Sequence, residues 1–126
     1  MSVVIDASAL LAWLHNEPGS DVVEEQLDQS IISAINWSEV VQKALSKDIE
    51  VDGMKEDIEA LGVKIEAVNV STAELASYIW LENKKLGLSI ADRICLALAQ
   101  EKKLTVLTAD KEWTKVITDI KVQLIR

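Results

Sequence analysis

The chain has 126 residues, of which 49% are hydrophobic and 27% are charged, so it is long enough to form one globular domain with its own core. Its formal net charge of −8 argues against broad electrostatic binding of nucleic acid, because phosphate contacts need a cationic surface. The single cysteine excludes an intramolecular disulfide, and no apolar run approaches the roughly 18 residues of a membrane span.

With one proline, four glycines and no low-complexity tract to mark a linker, we expect a single domain over residues 1–126. The apolar run at the N-terminus is broken by Asp6, which is not typical of a secretory signal. We therefore expect a cytoplasmic protein in a reducing compartment.

Strand and helix patterns alternate along the chain. Short β-prone runs predict strands at 2–5, 31–34, 63–70, 105–108 and 120–125. Helical apolar spacing and start and stop signals predict helices at 7–16, 21–27, 36–47, 54–62, 71–87, 89–103 and 111–117. This alternation predicts an α/β fold with a mostly parallel central sheet and helices on both faces.

Two acidic residues directly follow predicted strands. Asp6 ends the first strand, and Asp110 comes just after the strand in TVLTAD. If these strands are parallel, both side chains lie at one edge of the sheet, where α/β proteins bind ligands. An Asp at this position is also a favoured helix N-cap, which is the simpler interpretation of either residue alone.

Glu39 and Asp92 each lie three residues after a potential helix cap, Asn36 and Ser89 respectively, which is the spacing of a capping box. Ser71 and Glu74 have the same spacing, and we assign that pair no function. Asp92 differs because the positions three and four residues later are Cys95 and Leu96, in an apolar run. A carboxylate on that face is costly unless a cation compensates its charge.

The four acids therefore share a setting at strand ends or in first helical turns. Carboxylates brought together without a cation repel one another, whereas Mg²⁺ or Mn²⁺, which take oxygen ligands, would neutralise them. One histidine and one cysteine are too few for a His/Cys zinc site of the usual kind. The pattern favours a divalent metal site formed by Asp6, Glu39, Asp92 and Asp110.

Four segments also resemble, in order and spacing, the acidic motifs of PIN-domain ribonucleases, and most closely those of VapC-like toxins. They are VIDASALLAWL, SAINWSEVV, LSIADRICLALA and VLTADKEW. The resemblance covers nearly the whole chain. It implies a three-layer α/β/α PIN-like fold with a mostly parallel central sheet.

The resemblance further implies a metal-dependent endoribonuclease that leaves a 5′-phosphate and a 3′-hydroxyl. It makes Asp6, Glu39, Asp92 and Asp110 the catalytic metal ligands of a Mg²⁺ or Mn²⁺ site. Because the fourth acid varies in such families, Glu112 or Asp119 could take the place of Asp110. It also implies supporting polar roles for Ser8, Asn36 and Thr108.

The expected partners are RNA as substrate, a cognate antitoxin and, in a homodimer, a second copy of the chain; no membrane is expected. A modest basic rim around the acids would reconcile RNA binding with the net charge. The candidate residues are Lys43, Lys47, Arg93, Lys111 and Lys115. They could equally be ordinary solvated side chains.

Two other functions fit parts of the pattern. A PIN scaffold without activity would act only as a binding module. A phosphoacceptor receiver domain has a similar length and an Asp after its first strand, but this chain has no Asp in the strand at 63–70.

Overall fold

A computed structural model describes residues 2–126, which contain a five-stranded, fully parallel sheet with the strand order β3-β2-β1-β4-β5. The strands are β1 (Val3–Ile5), β2 (Ser30–Ser33), β3 (Lys64–Glu66), β4 (Val106–Thr108) and β5 (Val122–Leu124). The predicted α/β class with a three-layer arrangement is confirmed.

The helices account for most of the remaining chain. They are α1 (Ala7–Leu14), α2 (Ser20–Gln26), α3 (Ala34–Ser46), α4 (Met54–Ala60), α5 (Val70–Glu82) and α6 (Ile90–Lys102). Short 3₁₀ helices cover Leu27–Gln29, Lys84–Leu86 and Lys111–Lys115. The helix expected at 71–87 thus ends at Glu82, and the one expected at 111–117 is a 3₁₀ turn.

Alternation along the strands divides the core between the two faces of the sheet. Val3 and Ile5 contribute to the core that also includes buried residues of α1 to α4. Val4, on the other face, packs in a core formed mainly by α5 and α6. Helices on both faces explain why these strands carry continuous apolar runs.

The strand order places β1 in the middle of the sheet, between β2 and β4. Receiver domains have the order 2-1-3-4-5, which differs from the order found here, so the phosphoacceptor alternative is wrong. In doubly wound sheets ligands bind beyond the carboxyl ends of the strands, where the connections diverge to either side. Here that point lies between β1 and β4.

No helix within residues 2–126 combines the length and the apolar character needed to cross a membrane.

Candidate functional site

Asp6 lies at the carboxyl end of β1 and is only 6% exposed. Its Oδ1 caps α1 by accepting the backbone N–H of Ala9 at 2.9 Å, and it also accepts the Ser8 hydroxyl at 2.7 Å. Its Oδ2 accepts the Thr108 hydroxyl at 2.6 Å. Asp6 is therefore both a helix cap, as the simpler interpretation predicted, and a buried carboxylate at the centre of the sheet edge.

Burial is the main reason that the pKa of Asp6 is raised from 3.8 to about 6, and the nearby charge of Asp92 contributes to the same rise. The hydrogen bonds from Thr108, Ser8 and Ala9 lower this pKa but do not offset the loss of hydration. No basic side chain among residues 2–126 forms an ion pair with Asp6, Glu39 or Asp92. Within residues 2–126, these carboxylates are therefore not neutralised by an ion pair.

Glu39 projects from α3 and is held through Asn36. The Asn36 Nδ2 donates to Oε1 of Glu39 at 3.3 Å and to the backbone oxygen of Ala91 at 3.2 Å, which joins α3 to the first turn of α6. Although the Glu39 side chain reaches solvent, partial desolvation and then the charge of Asp92 raise its pKa, and the bond from Asn36 lowers it. Asn36 is itself buried, so it positions Glu39 from inside the protein.

Asp92 is half-buried in the first turn of α6 and forms a true capping box with Ser89. The Ser89 backbone N–H donates to Oδ2 of Asp92 at 2.9 Å, and the Asp92 N–H donates to the Ser89 hydroxyl at 3.1 Å. The other two pairs with this spacing are not capping boxes, since Ser33 caps α3 and Asn69 caps α5.

Cys95 marks the place where the three acids converge. It is fully buried, and burial raises its pKa well above the usual range. The charges of Asp6, Asp92 and Glu39 all raise it further. Cys95 follows Asp92 by about one helical turn, so the helical spacing in the sequence predicts that the two side chains lie on the same face of α6.

Asp110 lies just after β4, and its setting differs from those of the buried Asp6 and the half-buried Asp92. It is exposed, and its Oδ1 caps the Lys111–Lys115 turn by accepting the N–H of Glu112 at 2.9 Å. Its own N–H donates to the Thr108 hydroxyl at 3.0 Å, which links it to Asp6.

The two possible substitutes for Asp110 have other settings. Glu112 pairs with Lys115 at 3.2 Å. Asp119 lines a groove that also contains Thr105, which precedes β4, and Lys121, which precedes β5. Asp119 therefore lies toward the amino ends of the strands, at the opposite edge of the sheet from Asp6.

A groove of about 500 Å³ opens beside the acids and is lined by Ser8, Glu39 and Lys43, among others. Of the other basic-rim candidates, Lys115 pairs with Glu112 and Arg93 donates from Nε to the backbone oxygen of Leu88 at 3.4 Å. Lys43 is thus the rim residue that shares a groove with a candidate ligand.

The three carboxylates are chemically suitable ligands for a hard divalent cation, but they do not surround a single metal position. The oxygens of Asp6, Glu39 and Asp92 are the ligand type that Mg²⁺ and Mn²⁺ prefer, and their charges lack a protein partner. Within residues 2–126, however, no three His, Cys, Asp or Glu side chains are close enough to enclose an ion.

Comparisons with known proteins place the chain among PIN domains: the model of that family matches residues 3–117. No curated protein matches the chain. Among solved structures, it is similar to a chain of a toxin-antitoxin complex from Klebsiella pneumoniae, with 24% identity, coverage of 99% of this chain and 98% of that one, and a TM-score of 0.79.

Two further solved structures share the fold. One is a DNA-bound VapBC from Salmonella typhimurium, with 14% identity, 100% and 99% coverage and a TM-score of 0.76. The other is VapC20 of Mycobacterium tuberculosis, described as a sarcin-ricin loop cleaving toxin, with 12% identity, 95% and 99% coverage and a TM-score of 0.71.

Proposed function

The chain belongs to the PIN domain family, and from that premise we propose that it is a Mg²⁺- or Mn²⁺-dependent endoribonuclease, the toxin of a toxin-antitoxin pair. The observation that carries this proposal is that Asp6, Glu39 and Asp92 lie close enough to act on one another's charge, without an ion pair to a basic side chain among residues 2–126. In a stable fold such an arrangement is unfavourable unless a cation offsets it. The arrangement of the three acids therefore supports a site that binds metal.

The residues around the acids keep the donor oxygens in place. Ser8 and Thr108 hold the two oxygens of Asp6, Asn36 holds Glu39, and the capping box holds Asp92. Supporting hydrogen bonds of this kind orient ligands in metal sites. Asp110 is proposed as the fourth ligand and is linked to Asp6 through the Thr108 hydroxyl.

A bound divalent cation would supply an activated water and stabilise negative charge on a phosphate. The protein side chains contribute a groove beside the acids, with Lys43 and Ser8 in its lining, that can receive a phosphodiester segment. No side chain needs to act as a nucleophile, which agrees with a fully buried Cys95. The products would be a 5′-phosphate and a 3′-hydroxyl.

The assignment as a toxin is supported by structures with the same fold, of which one is described as a toxin-antitoxin complex and two as VapBC proteins bound to DNA. Since their identities are below 25%, the partner is part of the proposal. We propose a cytoplasmic homodimer that is inhibited by a small antitoxin protein.

Inducible expression in a bacterium, with mapping of new RNA 5′ ends, tests this function. We expect growth arrest and discrete new ends with the wild type, both lost in Asp92→Asn and Asp6→Asn. Asp52→Asn, which changes an exposed acid before α4, is the matched control and should behave as the wild type.

Equal cutting by the wild type and Asp92→Asn would rule out the proposed site. Absence of cutting by every form, including the purified protein with Mn²⁺, would favour the PIN scaffold that only binds a partner.

A further inference from the structure

A second surface at the same end of the molecule is organised by Asn83, a buried residue that the sequence analysis did not single out. Its Nδ2 donates to the backbone oxygens of Ile79 at 2.9 Å and Ile117 at 3.4 Å, and its Oδ1 accepts the N–H of Ile117 at 2.7 Å. These bonds fix the end of α5 against the chain that follows the Lys111–Lys115 turn. They also explain why α5 stops before the predicted position.

The two segments joined by Asn83 form a groove of about 390 Å³, which we call the lysine groove. Its lining includes three basic residues, Lys84, Lys85 and Lys115, and one acidic residue, Glu82. The amine of Lys84 lies 5.3 Å above the ring of Trp80, which is 48% exposed. This cation–π contact holds Lys84 at the surface without neutralising its charge.

These lysines are nearly free of acidic partners. Lys84 and Lys85 form no ion pair within residues 2–126, and the Lys115–Glu112 pair is more than 60% exposed on both sides, so water screens it. In a chain with a net charge of −8, a groove with three lysines and one glutamate is a local reversal of charge. Such a surface complements a polyanion.

The position of the groove relative to the acids follows from the packing of α5 against α6. The hydroxyls of Ser71 and Thr72, at the start of α5, donate to the carboxylate of Glu101, near the end of α6. The two helices are therefore antiparallel, so Lys84 and Lys85 lie toward the end of α6 that carries Asp92 in its first turn. Lys115, for its part, lies in the turn that Asp110 caps.

We propose that the lysine groove binds the phosphate backbone of the RNA strand and guides it toward the acids. This inference rests on the proposed function. The groove supplies the local cationic surface that the overall charge of the chain lacks. Each contact between a lysine and a phosphate releases condensed counterions from the RNA, and this release favours binding. Asn83 acts as a positioning residue that keeps both sides of the groove together.

Binding of a short fluorescent oligouridylate, measured by anisotropy over a range of salt concentrations, tests the inference. EDTA in the buffer prevents hydrolysis during the measurement. We expect the double variant Lys84→Glu/Lys85→Glu to bind about tenfold more weakly than the wild type, with a shallower salt dependence, by about 1 to 2 in the log–log slope.

Lys103→Glu/Lys121→Glu is the matched control because it changes the net charge equally. Both residues line the groove near the amino ends of β4 and β5, and neither forms an ion pair within residues 2–126. The control should retain the affinity within about twofold. Thermal unfolding of all forms establishes that they are folded.

Equal losses in the two double variants, or none in Lys84→Glu/Lys85→Glu, would overturn the inference even if the wild type cuts RNA. Unchanged RNA affinity together with a lower molecular mass in solution would identify the groove as an interface between copies and also overturn it. If the wild type binds RNA through these lysines but never cuts it, the inference stands and the proposed nuclease function fails.

Discussion

The Thr108 hydroxyl donates a 2.6 Å hydrogen bond to Oδ2 of Asp6, although the two residues are 102 positions apart. The register of β1 and β4, in which Ile5 faces Leu107, brings the next residue of each strand side by side. The same hydroxyl oxygen accepts the N–H of Asp110. The Thr108 hydroxyl thus connects a buried candidate ligand, Asp6, to an exposed one, Asp110.

Replacing Thr108 by Val removes the hydrogen bonds of its hydroxyl with Asp6 and Asp110 while keeping the side-chain volume. Oδ2 of Asp6 loses a donor and the Asp110 N–H loses its acceptor, so we expect a loss of about 1–3 kcal/mol in the free energy of unfolding, measured with urea. RNA cleavage should fall as well. Thr114→Val is the control, because its exposed hydroxyl bonds only to the Lys111 carbonyl; equal effects would contradict the role given to Thr108.

The raised pKa of Asp6 predicts a specific pH dependence of stability in metal-free protein. The folded state holds the Asp6 proton more tightly than the unfolded chain does, with pKa values of about 6 and 3.8. The stability gained from this proton is complete below pH 3.8 and is lost as the pH rises through about 6.

Asp6→Asn removes the titrating group, so relative to this variant the wild type should lose up to about 3 kcal/mol of stability as the pH rises from below 3.8 to neutrality. This loss should shrink toward acidic pH. Urea titrations at several pH values measure it. A difference that stays constant with pH would refute the assignment to Asp6.

Divalent metal should stabilise the wild type selectively. Binding to the folded state alone adds about 2.7 kcal/mol at a metal concentration of about 100 times Kd, and this appears as a higher Tm. We expect the shift with Mn²⁺ in the wild type and in Asp52→Asn, and a much smaller one in Asp6→Asn and Asp92→Asn. Identical shifts in all four proteins would show that the metal binds elsewhere.

Gly62, which connects α4 to the strand β3, is required for two reasons. Its φ is +100°, and a Cβ there would lie 2.6 Å from Cα of Asp28. Gly53 also has a positive φ, of +81°, but a Cβ there would meet nothing within 4 Å.

The two Gly→Ala variants therefore distinguish backbone strain, which both have, from steric overlap with Asp28, which only Gly62→Ala has. Gly53→Ala should cost about 1 kcal/mol of stability, as expected for the left-handed region, and Gly62→Ala clearly more. Chemical denaturation measures both, and equal losses would mean that the backbone at Asp28 can move away.

Much of the fold could be predicted because the local signals agree with the final structure. All five strands were predicted near their observed positions, since each is a short β-prone run between helical patterns. Helix ends were predicted less well. α5 ends early because the Asn83 side chain bonds across to Ile117, a contact that no local pattern reveals.

The tryptophans illustrate a second limit of sequence patterns. Trp113 is 1% exposed in the core, whereas Trp80 is largely exposed and supports Lys84; Trp13 and Trp37 pack at the edge of the other core. All four occur in segments with similar apolar spacing, so periodicity alone could not distinguish a core residue from a surface platform.

By itself, the sequence determined the order of strands and helices, the four candidate acids and the family motifs, because these depend on residue type and local spacing. Only the tertiary structure decided how the acids differ. Asp6 is buried because β1 is the central strand, Glu39 reaches the site through Asn36, and Asp110 remains at the surface as a cap. Burial and charge proximity arise from strand order and helix packing between distant segments, and these set the electrostatics of the site.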